Sequence, residues 1–238
     1  MCGRLNVSDD PFVIQLLLDL GIENPRQNMH FGRFKKAADT ISIIIEKNGQ
    51  RVLTSATWWL LLEPSDKGFK PSKYTSFNSR FDKLNVPRSA AYLPYRRSRC
   101  IIVAKGFGET EFQLQGTRNV PKHYYDMEAV NGALAFGGLY KEYIDKVSGE
   151  VVTGCSVITL PPHPKLSGIH SKASPLMLPQ DDTLDKWLDP NMQSPDDFNW
   201  LLQPAIRQHL QAVQIDKPST HQALSSALLI KSDATYAV

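Results

Sequence analysis

The sequence predicts an α+β protein with a dominant antiparallel β-sheet and a few flanking helices. Most of the chain consists of short β-branched or apolar runs, separated by Asn-Gly, Ser-Gly and proline clusters. Such runs are typical of strands joined by turns. They do not alternate regularly with helical segments, as the strands of a doubly wound fold do, and this favours antiparallel pairing.

Each element follows from a local pattern. Helical spacing of apolar residues predicts a first helix with Ser8 as its N-cap, Pro11 in its first turn and Gly21 as its stop. Asn48-Gly49 and Asn131-Gly132 are predicted hairpin turns. Strands are predicted over residues 40–45, 51–57, 100–103, 133–136 and 156–160, and short helices over 181–188 and from Ser194.

Length and composition predict one soluble domain spanning residues 1–238. A chain of 238 residues with 42% hydrophobic content can bury a full core. Its three cysteines are an odd number without CxxC spacing, so neither a disulfide framework nor a metal site is expected. We see no secretory signal and no run approaching the roughly 18 apolar residues of a membrane span. We therefore expect a cytoplasmic protein that needs no metal and no membrane.

The charge is concentrated in one segment. Residues 67–105 carry ten lysines and arginines against the single acid Asp82, although the net charge of the chain is only +3. Tyrosine and phenylalanine residues lie among these bases, a pattern that favours a polyanion such as unpaired nucleic acid. The alternative is a solvated surface loop whose aromatic residues belong to the core.

Cys2 lies directly behind the initiator methionine. Removal of Met1 would leave an α-amine with a pKa near ~7.7–8 beside a thiol with a pKa near ~8.5. Such a 1,2-aminothiol can condense with an aldehyde to a Schiff base and close to a thiazolidine. The same terminus could cleave an amide, with its amine as the base. The alternative is that Cys2 is simply an early strand residue.

Three further positions offer the groups that this chemistry needs. Asn78 and Arg80 place an amide, able to orient an amine, beside a guanidinium able to grip a phosphate. Glu109 is predicted on a turn, where partial desolvation would raise its pKa for acid/base work. His170 would titrate near ~6.5 and shuttle protons. Taken singly these signals are weak, because a lone glutamate on a turn is usually just solvated and a lone histidine is more often a structural residue.

In combination and order, these motifs resemble the SRAP (SOS response-associated peptidase) family. The resemblance is carried by Met1-Cys2-Gly3-Arg4, Asn78-Ser79-Arg80, the segment from Arg99 to Glu109, Ala135-Phe136-Gly137-Gly138-Leu139-Tyr140, Ile169-His170, and Asp185-Lys186-Trp187-Leu188. It is clearest over residues 1–190, and the remainder diverges.

The resemblance implies a curved, mainly antiparallel sheet with a barrel-like core, and a sensor of abasic sites in single-stranded DNA within the DNA damage response. Cys2 would form a covalent thiazolidine crosslink with the open-chain sugar, while Asn78 orients the amine. Glu109 would shuttle protons, and His170 would protonate the sugar ring oxygen. The family also implies self-processing that removes Met1, a lyase-like crosslinking activity, and association with the nucleoid while DNA is bound. No cofactor is required.

The expected DNA-binding residues form a rim around the four expected catalytic residues, Cys2, Asn78, Glu109 and His170. Arg4 and Arg80 would hold the phosphates that flank the lesion. Departures from the family pattern concentrate in the rim: two tryptophans stand in a loop without the family's glycine and proline, Thr110 follows Glu109, and a lysine replaces an arginine after His170. The remaining rim residues are Trp58, Trp59, Arg96, Arg97 and Lys172.

Three other functions remain open from the sequence. Glutamine amidotransferases also begin with Met-Cys-Gly, so an N-terminal-nucleophile amidohydrolase or peptidase is one alternative. The basic segment argues against it, because a glutamine site has no use for so many cations. A non-covalent single-stranded DNA-binding protein, and a domain with coincidental motifs, are the others.

Overall fold

The structure is a computed structural model in which residues 3–66 and 68–233 are described. Cys2, the predicted nucleophile, and Lys67 of the basic segment lie outside these residues. The strands are β1 (Arg4–Val7), β2 (Gly32–Lys36), β3 (Thr40–Lys47), β4 (Gln50–Thr57), β5 (Leu62–Ser65), β6 (Gly68–Pro71), β7 (Asn78–Arg80), β8 (Arg99–Ala104), β9 (Gly106–Gln115), β10 (Arg118–Ala129), β11 (Leu134–Ile144), β12 (Val151–Leu160), β13 (Ser174–Pro175), β14 (Leu210–Ile215) and β15 (Leu228–Ile230).

Few helices accompany these strands. The α-helices are α1 (Pro11–Asp19), α2 (Pro25–Asn28), α3 (Tyr92–Arg97) and α4 (Thr183–Leu188), and the 3₁₀ helices are Phe81–Lys83, Pro164–Leu166 and Pro195–Leu202.

A closed ring of strands forms the core. Its order is β11-β8-β3-β4-β12, and pairing of β12 with β11 closes the ring. Strands β7 and β13 extend along β12. Pairing is antiparallel except where β12 meets β4 and β7. The apolar runs of β3 and β8 are buried along nearly their whole length, because both of their faces are covered.

A six-stranded antiparallel sheet packs against the barrel, in the order β15-β14-β10-β9-β1-β2. Phe107 of β9 meets Phe136 of β11 edge-on, with ring centroids 5.7 Å apart. The predicted architecture, a mainly antiparallel barrel-like core with a few flanking helices, is confirmed. The hairpin β5–β6 forms a separate two-stranded sheet.

One of the two predicted hairpin turns is correct. Asn48 and Gly49 join β3 to β4 with positive φ angles of 55° and 76°, which a type I′ turn requires. The prediction for Asn131-Gly132 is wrong, because β10 and β11 pair in different sheets. That turn carries the chain from the outer sheet into the barrel.

The N-cap of α1 also differs from the prediction. The cap is Asp10 and not Ser8, since the Asp10 carboxylate accepts a 2.8 Å hydrogen bond from the backbone N–H of Phe12. Pro11 begins the helix as predicted. Gly21 follows the helix with a φ of 82°, which glycine tolerates best.

Two further local predictions require correction. Glu109 lies within strand β9 and not on a turn, because β10 pairs with β9 along its length. The helix that begins after Ser194 is a 3₁₀ helix, although Ser194 caps it through the backbone N–H of Asp196 as expected.

Candidate functional site

Glu109 is a buried carboxyl group in the middle of β9, with 2% of its surface exposed. Side chains alternate along a strand, so Glu109 lies on the same face as Phe107, which packs against the barrel. Burial raises the pKa of Glu109 to about 7, and the nearby Arg4 cation only partly opposes this shift. Near neutral pH the group is therefore available in both protonation states.

His170 meets Glu109 from a separate loop. Its backbone N–H bonds to Leu166 at the 3₁₀ turn, and its side chain is 3% exposed. The imidazole Nδ1 lies 3.2 Å from the carbonyl oxygen of Thr110 and 3.7 Å from Glu109 Oε2. A carbonyl only accepts, so Nδ1 carries the proton and Nε2 is an acceptor in the neutral ring.

The titration of His170 differs from the sequence-based expectation. Burial lowers its pKa from the ordinary 6.5 to about 4. The ring is therefore neutral at physiological pH, where the sequence predicted that it would gain and lose a proton.

Asn78 faces the same inter-sheet space. Val157 of β12 pairs with both Asn78 and Gly138, so the side chains of Val157 and Asn78 lie on the face toward which a Cβ at Gly138 would project. Phe136 is two positions from Gly138 on β11 and shares that face. Since Phe136 contacts Phe107 on the Glu109 face of β9, Asn78 and Glu109 lie on facing surfaces of the two sheets.

Arg4 is held on the other face of β9. Its guanidinium donates 2.8 Å hydrogen bonds to Thr110 Oγ1 and to the Glu109 carbonyl oxygen. It also lies 5.3 Å and 5.6 Å from the ring centroids of Phe34 and Tyr124. These contacts tie the start of β1 to the strand that carries Glu109.

Arg80 and Lys172 share a cleft of about 290 Å³. Arg80 projects from the same face of β7 as Asn78, and Lys172 lies two residues beyond His170. The Arg80 fork binds the Asp82 carboxylate through hydrogen bonds of 3.0 and 2.9 Å. An anion entering the cleft therefore competes with Asp82 for this guanidinium.

The two tryptophans that were predicted to contact DNA differ in exposure. Trp58 is fully buried, and its indole N–H donates to the Phe77 carbonyl oxygen at 2.9 Å. This burial contradicts its prediction as a DNA-contacting residue, since its ring has no surface available for stacking. Trp59 is half-buried, 5.7 Å from the Phe77 ring.

Neither Arg96 nor Arg97 lines the Arg80 cleft. The Arg96 guanidinium stacks 3.7 Å over the Tyr92 ring and donates to the backbone carbonyls of Leu84 and Tyr92. Arg97 is exposed and lines a separate cleft of about 740 Å³. Three of the predicted basic residues thus line two clefts, Arg80 and Lys172 in one and Arg97 in the other, and Arg96 lines neither.

Part of the basic segment belongs to the core. Arg99 is 6% exposed and donates to backbone carbonyls of α3 and of the α4 region. Lys105 is 9% exposed, and its ammonium group donates to the Gly132 carbonyl oxygen at 3.0 Å. These two cations are therefore structural, and they account for part of the charge that the sequence assigns to a polyanion partner.

The sequence analysis missed Glu111 and Ser171. Glu111 lies 3.5 Å from His170 Nδ1 and accepts two hydrogen bonds from Ser171. Strand alternation provided a signal, because residues 109 and 111 share a face. The signal could be used only if Glu109 and Glu111 were predicted to lie in a strand, whereas the sequence predicted a turn at Glu109.

The two described cysteines are inaccessible to solvent. Cys100 and Cys155 are both fully buried free thiols. Burial raises the pKa of each thiol, so neither forms a thiolate readily.

The chain belongs to the SRAP, or SOS response associated peptidase, family, whose sequence model matches residues 1–219. It is 27% identical to the abasic site processing protein YoqW of Bacillus subtilis (strain 168) over 238 residues, covering 98% of this chain and 100% of that protein. It is 26% identical to the abasic site processing protein YobE of the same organism over 221 residues, covering 90% and 94% of the two chains.

Solved structures share the fold. A protein from Bacteroides thetaiotaomicron superposes with a TM-score of 0.66 at 19% identity, covering 91% of this chain and 93% of that one. A Bordetella bronchiseptica protein gives 0.64 at 15% identity, with 91% and 100% coverage.

Two features are absent from residues 3–66 and 68–233. None of the helices there is long and apolar enough to cross a membrane. The His, Cys, Asp and Glu side chains in the same residues form no group of three that could hold a metal ion.

Proposed function

We propose that this protein captures abasic sites in single-stranded DNA by forming a covalent thiazolidine through Cys2, after Met1 has been removed. The names of YoqW and YobE, both called abasic site processing proteins, support the choice of lesion. The buried pair of Glu109 and His170 carries the chemical argument. It lies beside β1, and Cys2 precedes the first residue of that strand by two positions.

The reaction begins with opening of the sugar. The closed abasic sugar loses a proton from its C1′ hydroxyl, gains one on the ring oxygen, and the bond between C1′ and that oxygen breaks. A carboxyl group with a pKa near 7 is a better donor at neutral pH than an imidazole with a pKa near 4. We therefore assign the donor role to Glu109 and the acceptor role to the neutral His170, in place of proton donation by His170.

Covalent capture then takes place at the exposed aldehyde. The Cys2 amine adds to C1′, and the resulting carbinolamine loses water to give a Schiff base. The Cys2 sulfur adds to the same carbon, and the nitrogen gains the proton that the thiol loses, closing the five-membered ring. One water leaves, and nothing is oxidised or reduced. When the amine adds, His170 gives its proton to the carbinolamine oxygen and Glu109 takes the proton that the nitrogen loses. Glu109 then protonates the departing hydroxyl and regains a proton from the Schiff-base nitrogen, while Asn78 orients the amine.

DNA binding around the lesion relies on the basic cleft. The Arg80 guanidinium exchanges the Asp82 carboxylate for a phosphate of the DNA. Lys172 contributes a second positive charge, but its ammonium group cannot bind a phosphate through two parallel hydrogen bonds as an arginine can. Trp59 offers the exposed part of its half-buried ring for stacking, and Arg97 adds positive charge at the second cleft. These contacts supply affinity without sequence preference.

A crosslinking assay tests the proposal. Wild-type protein incubated with single-stranded DNA carrying one abasic site should give a shifted band that survives denaturation, and intact DNA should give none. Cys2→Ala, or one extra residue ahead of Cys2, should abolish the band. Cys155→Ala is the matched control, since it removes a thiol that is fully buried. An undiminished band from Cys2→Ala would refute the mechanism.

We further propose that the protein removes its own Met1, with Glu109 and Asn78 assisting the cleavage. Intact mass spectrometry of protein translated without methionine aminopeptidase should show loss of Met1 in wild type and its retention in Glu109→Gln. Retained Met1 in the wild-type protein would exclude self-processing.

A further inference from the structure

A second carboxylate lies beside the site from the same strand as Glu109. Glu111 Oε1 accepts a 2.8 Å hydrogen bond from Ser171 Oγ, and its Oε2 accepts one of 3.1 Å from the Ser171 backbone N–H. The same Oε2 lies 3.5 Å from His170 Nδ1. One carboxylate thus contacts two successive residues of the His170 loop.

These contacts fasten the loop to β9 next to its functional side chain. The His170 ring also bonds to the carbonyl oxygen of Thr110, the residue between the two glutamates. Three consecutive strand residues therefore define where the imidazole lies. A bidentate carboxylate held by charge-assisted hydrogen bonds restricts geometry more strongly than one neutral bond does.

The two glutamates differ in charge at neutral pH. Burial opposes ionisation of Glu111, but the hydrogen bonds from Ser171 outweigh it and lower the pKa of this carboxyl group. Glu109 is fully buried, and its pKa is raised to about 7. Glu111 is thus a constant negative charge beside His170, whereas the charge on Glu109 varies.

The charged side chains that face His170 among the described residues come from β9 and from its own loop. Glu111 favours the imidazolium form, and Lys172 opposes it. Glu109, at 3.7 Å, adds a negative charge only when it is ionised. Removing the Glu111 charge therefore makes the imidazolium form less favourable.

We propose that Glu111 is a positioning residue for the crosslinking site: its carboxylate fixes the His170 loop on β9, and its charge sets the pH range in which His170 accepts a proton. This role rests on the proposed function, because His170 matters only if the site performs acid/base chemistry.

The test compares Glu111→Gln with wild type. Glutamine keeps the shape and an acceptor for Ser171 but removes the charge. The single-turnover crosslinking rate is measured at saturating abasic-site DNA from pH 2.5 to 9, a range that brackets the His170 midpoint near 4, and the His170 ring is followed by NMR titration over the same range. The acidic midpoint of the rate profile and the His170 midpoint should both move to lower pH, by about half a unit or more. Glu150→Gln, which removes a charge at an exposed turn, should move neither.

A second pair of variants separates positioning from charge. Glu111→Ala should lower the rate on the order of 10-fold at every pH, because the loop loses its anchor. Ser171→Ala, which keeps the backbone hydrogen bond to Glu111, should lower the rate less than Glu111→Ala does and shift the His170 midpoint less than Glu111→Gln does.

Failure of this role and failure of the proposed function give different results. Wild-type protein that forms no crosslink would refute the proposed function, whereas the NMR titration still reports on Glu111. If Glu111→Gln matches wild type and Glu150→Gln in both the rate profile and the His170 titration, Glu111 does not control His170.

Discussion

At the scale of single residues, burial has opposite effects on the pKa values of the two central groups. Burial disfavours charge, so it raises the pKa of the Glu109 acid to about 7 and lowers that of the His170 base to about 4. The neutral carboxyl and the neutral imidazole are therefore the favoured forms at slightly acidic pH. Sequence reasoning anticipated the shift of Glu109 but not that of His170, whose burial depends on a distant strand.

The raised pKa of Glu109 predicts a pH-dependent cost in stability. An unfolded glutamate has a pKa of about 4.3, so the folded protein holds this proton more tightly. The stabilisation is complete below the unfolded value and is lost as the pH rises through about 7. Glu109→Gln should therefore exceed wild type in unfolding free energy by about 3–4 kcal/mol at pH 8.5 and by only about 1 kcal/mol at pH 5.

Urea denaturation at both pH values measures this difference. Glu150→Gln serves as the control, because its side chain is exposed. An equal effect of Glu109→Gln at pH 5 and pH 8.5 would show that the carboxyl group does not titrate in this range.

Gly108 provides a second residue-scale prediction. A methyl group there would lie 2.5 Å from Arg4 Nε and 2.9 Å from Nη2. Gly108→Ala should therefore displace the guanidinium and lower the crosslinking rate about as much as Arg4→Ala does. In the Arg4→Ala background it should have little further effect, because the two changes act on one contact. Additive losses in this double-mutant cycle would show that Gly108 acts independently of Arg4.

At the scale of elements, local sequence patterns predicted the structure correctly where an element depends only on residues adjacent in the chain. Asn48-Gly49 forms its hairpin because both residues adopt positive φ angles, which this dipeptide tolerates. Asn131-Gly132 is the same dipeptide, but it joins two sheets. Both edges of β10 are hydrogen-bonded to β9 and β14, so β11 cannot pair with it. Turn propensity does not specify which strands pair.

The corrected cap of α1 gives an element-scale prediction. Asp10→Ala should lower the unfolding free energy by about 1 kcal/mol, because the N–H of Phe12 loses its acceptor. Ser8→Ala should have almost no effect. Asp10→Asn keeps a capping oxygen while removing the charge that lies 3.7 Å from Lys105, so it separates the cap from the ion pair. Thermal unfolding of the three variants measures the ranking, and a larger loss for Ser8→Ala would restore Ser8 as the cap.

At the scale of the whole molecule, the basic segment serves two purposes. Arg80 and Arg97 reach surface clefts, whereas Arg99 holds the barrel to its helices. Five backbone carbonyls accept hydrogen bonds of 2.7 to 3.3 Å from the Arg99 guanidinium, namely those of Tyr95, Arg96, Trp187, Asp189 and Met192. A count of charges in the sequence cannot separate these two uses.

Arg99→Lys tests this division. The variant keeps the positive charge, but a single ammonium cannot reach five carbonyls, so we expect a loss of about 3 kcal/mol in stability. Affinity for intact single-stranded DNA, measured by fluorescence anisotropy below the unfolding temperature, should be unchanged. Arg97→Ala should show the reverse, with weakened binding and retained stability. Weakened DNA binding by folded Arg99→Lys would place Arg99 at the DNA surface.

The sequence by itself determined the order of the motifs, the family resemblance and most of the strands, because these depend on residue identity and short-range periodicity. Only the tertiary structure decided that His170 lies against β9, that Glu111 anchors its loop, and that Trp58 and Arg99 belong to the core. The physical reason is that burial and strand register depend on contacts between residues distant in the chain. Those contacts set the protonation of Glu109 and His170, and local sequence carries no record of them.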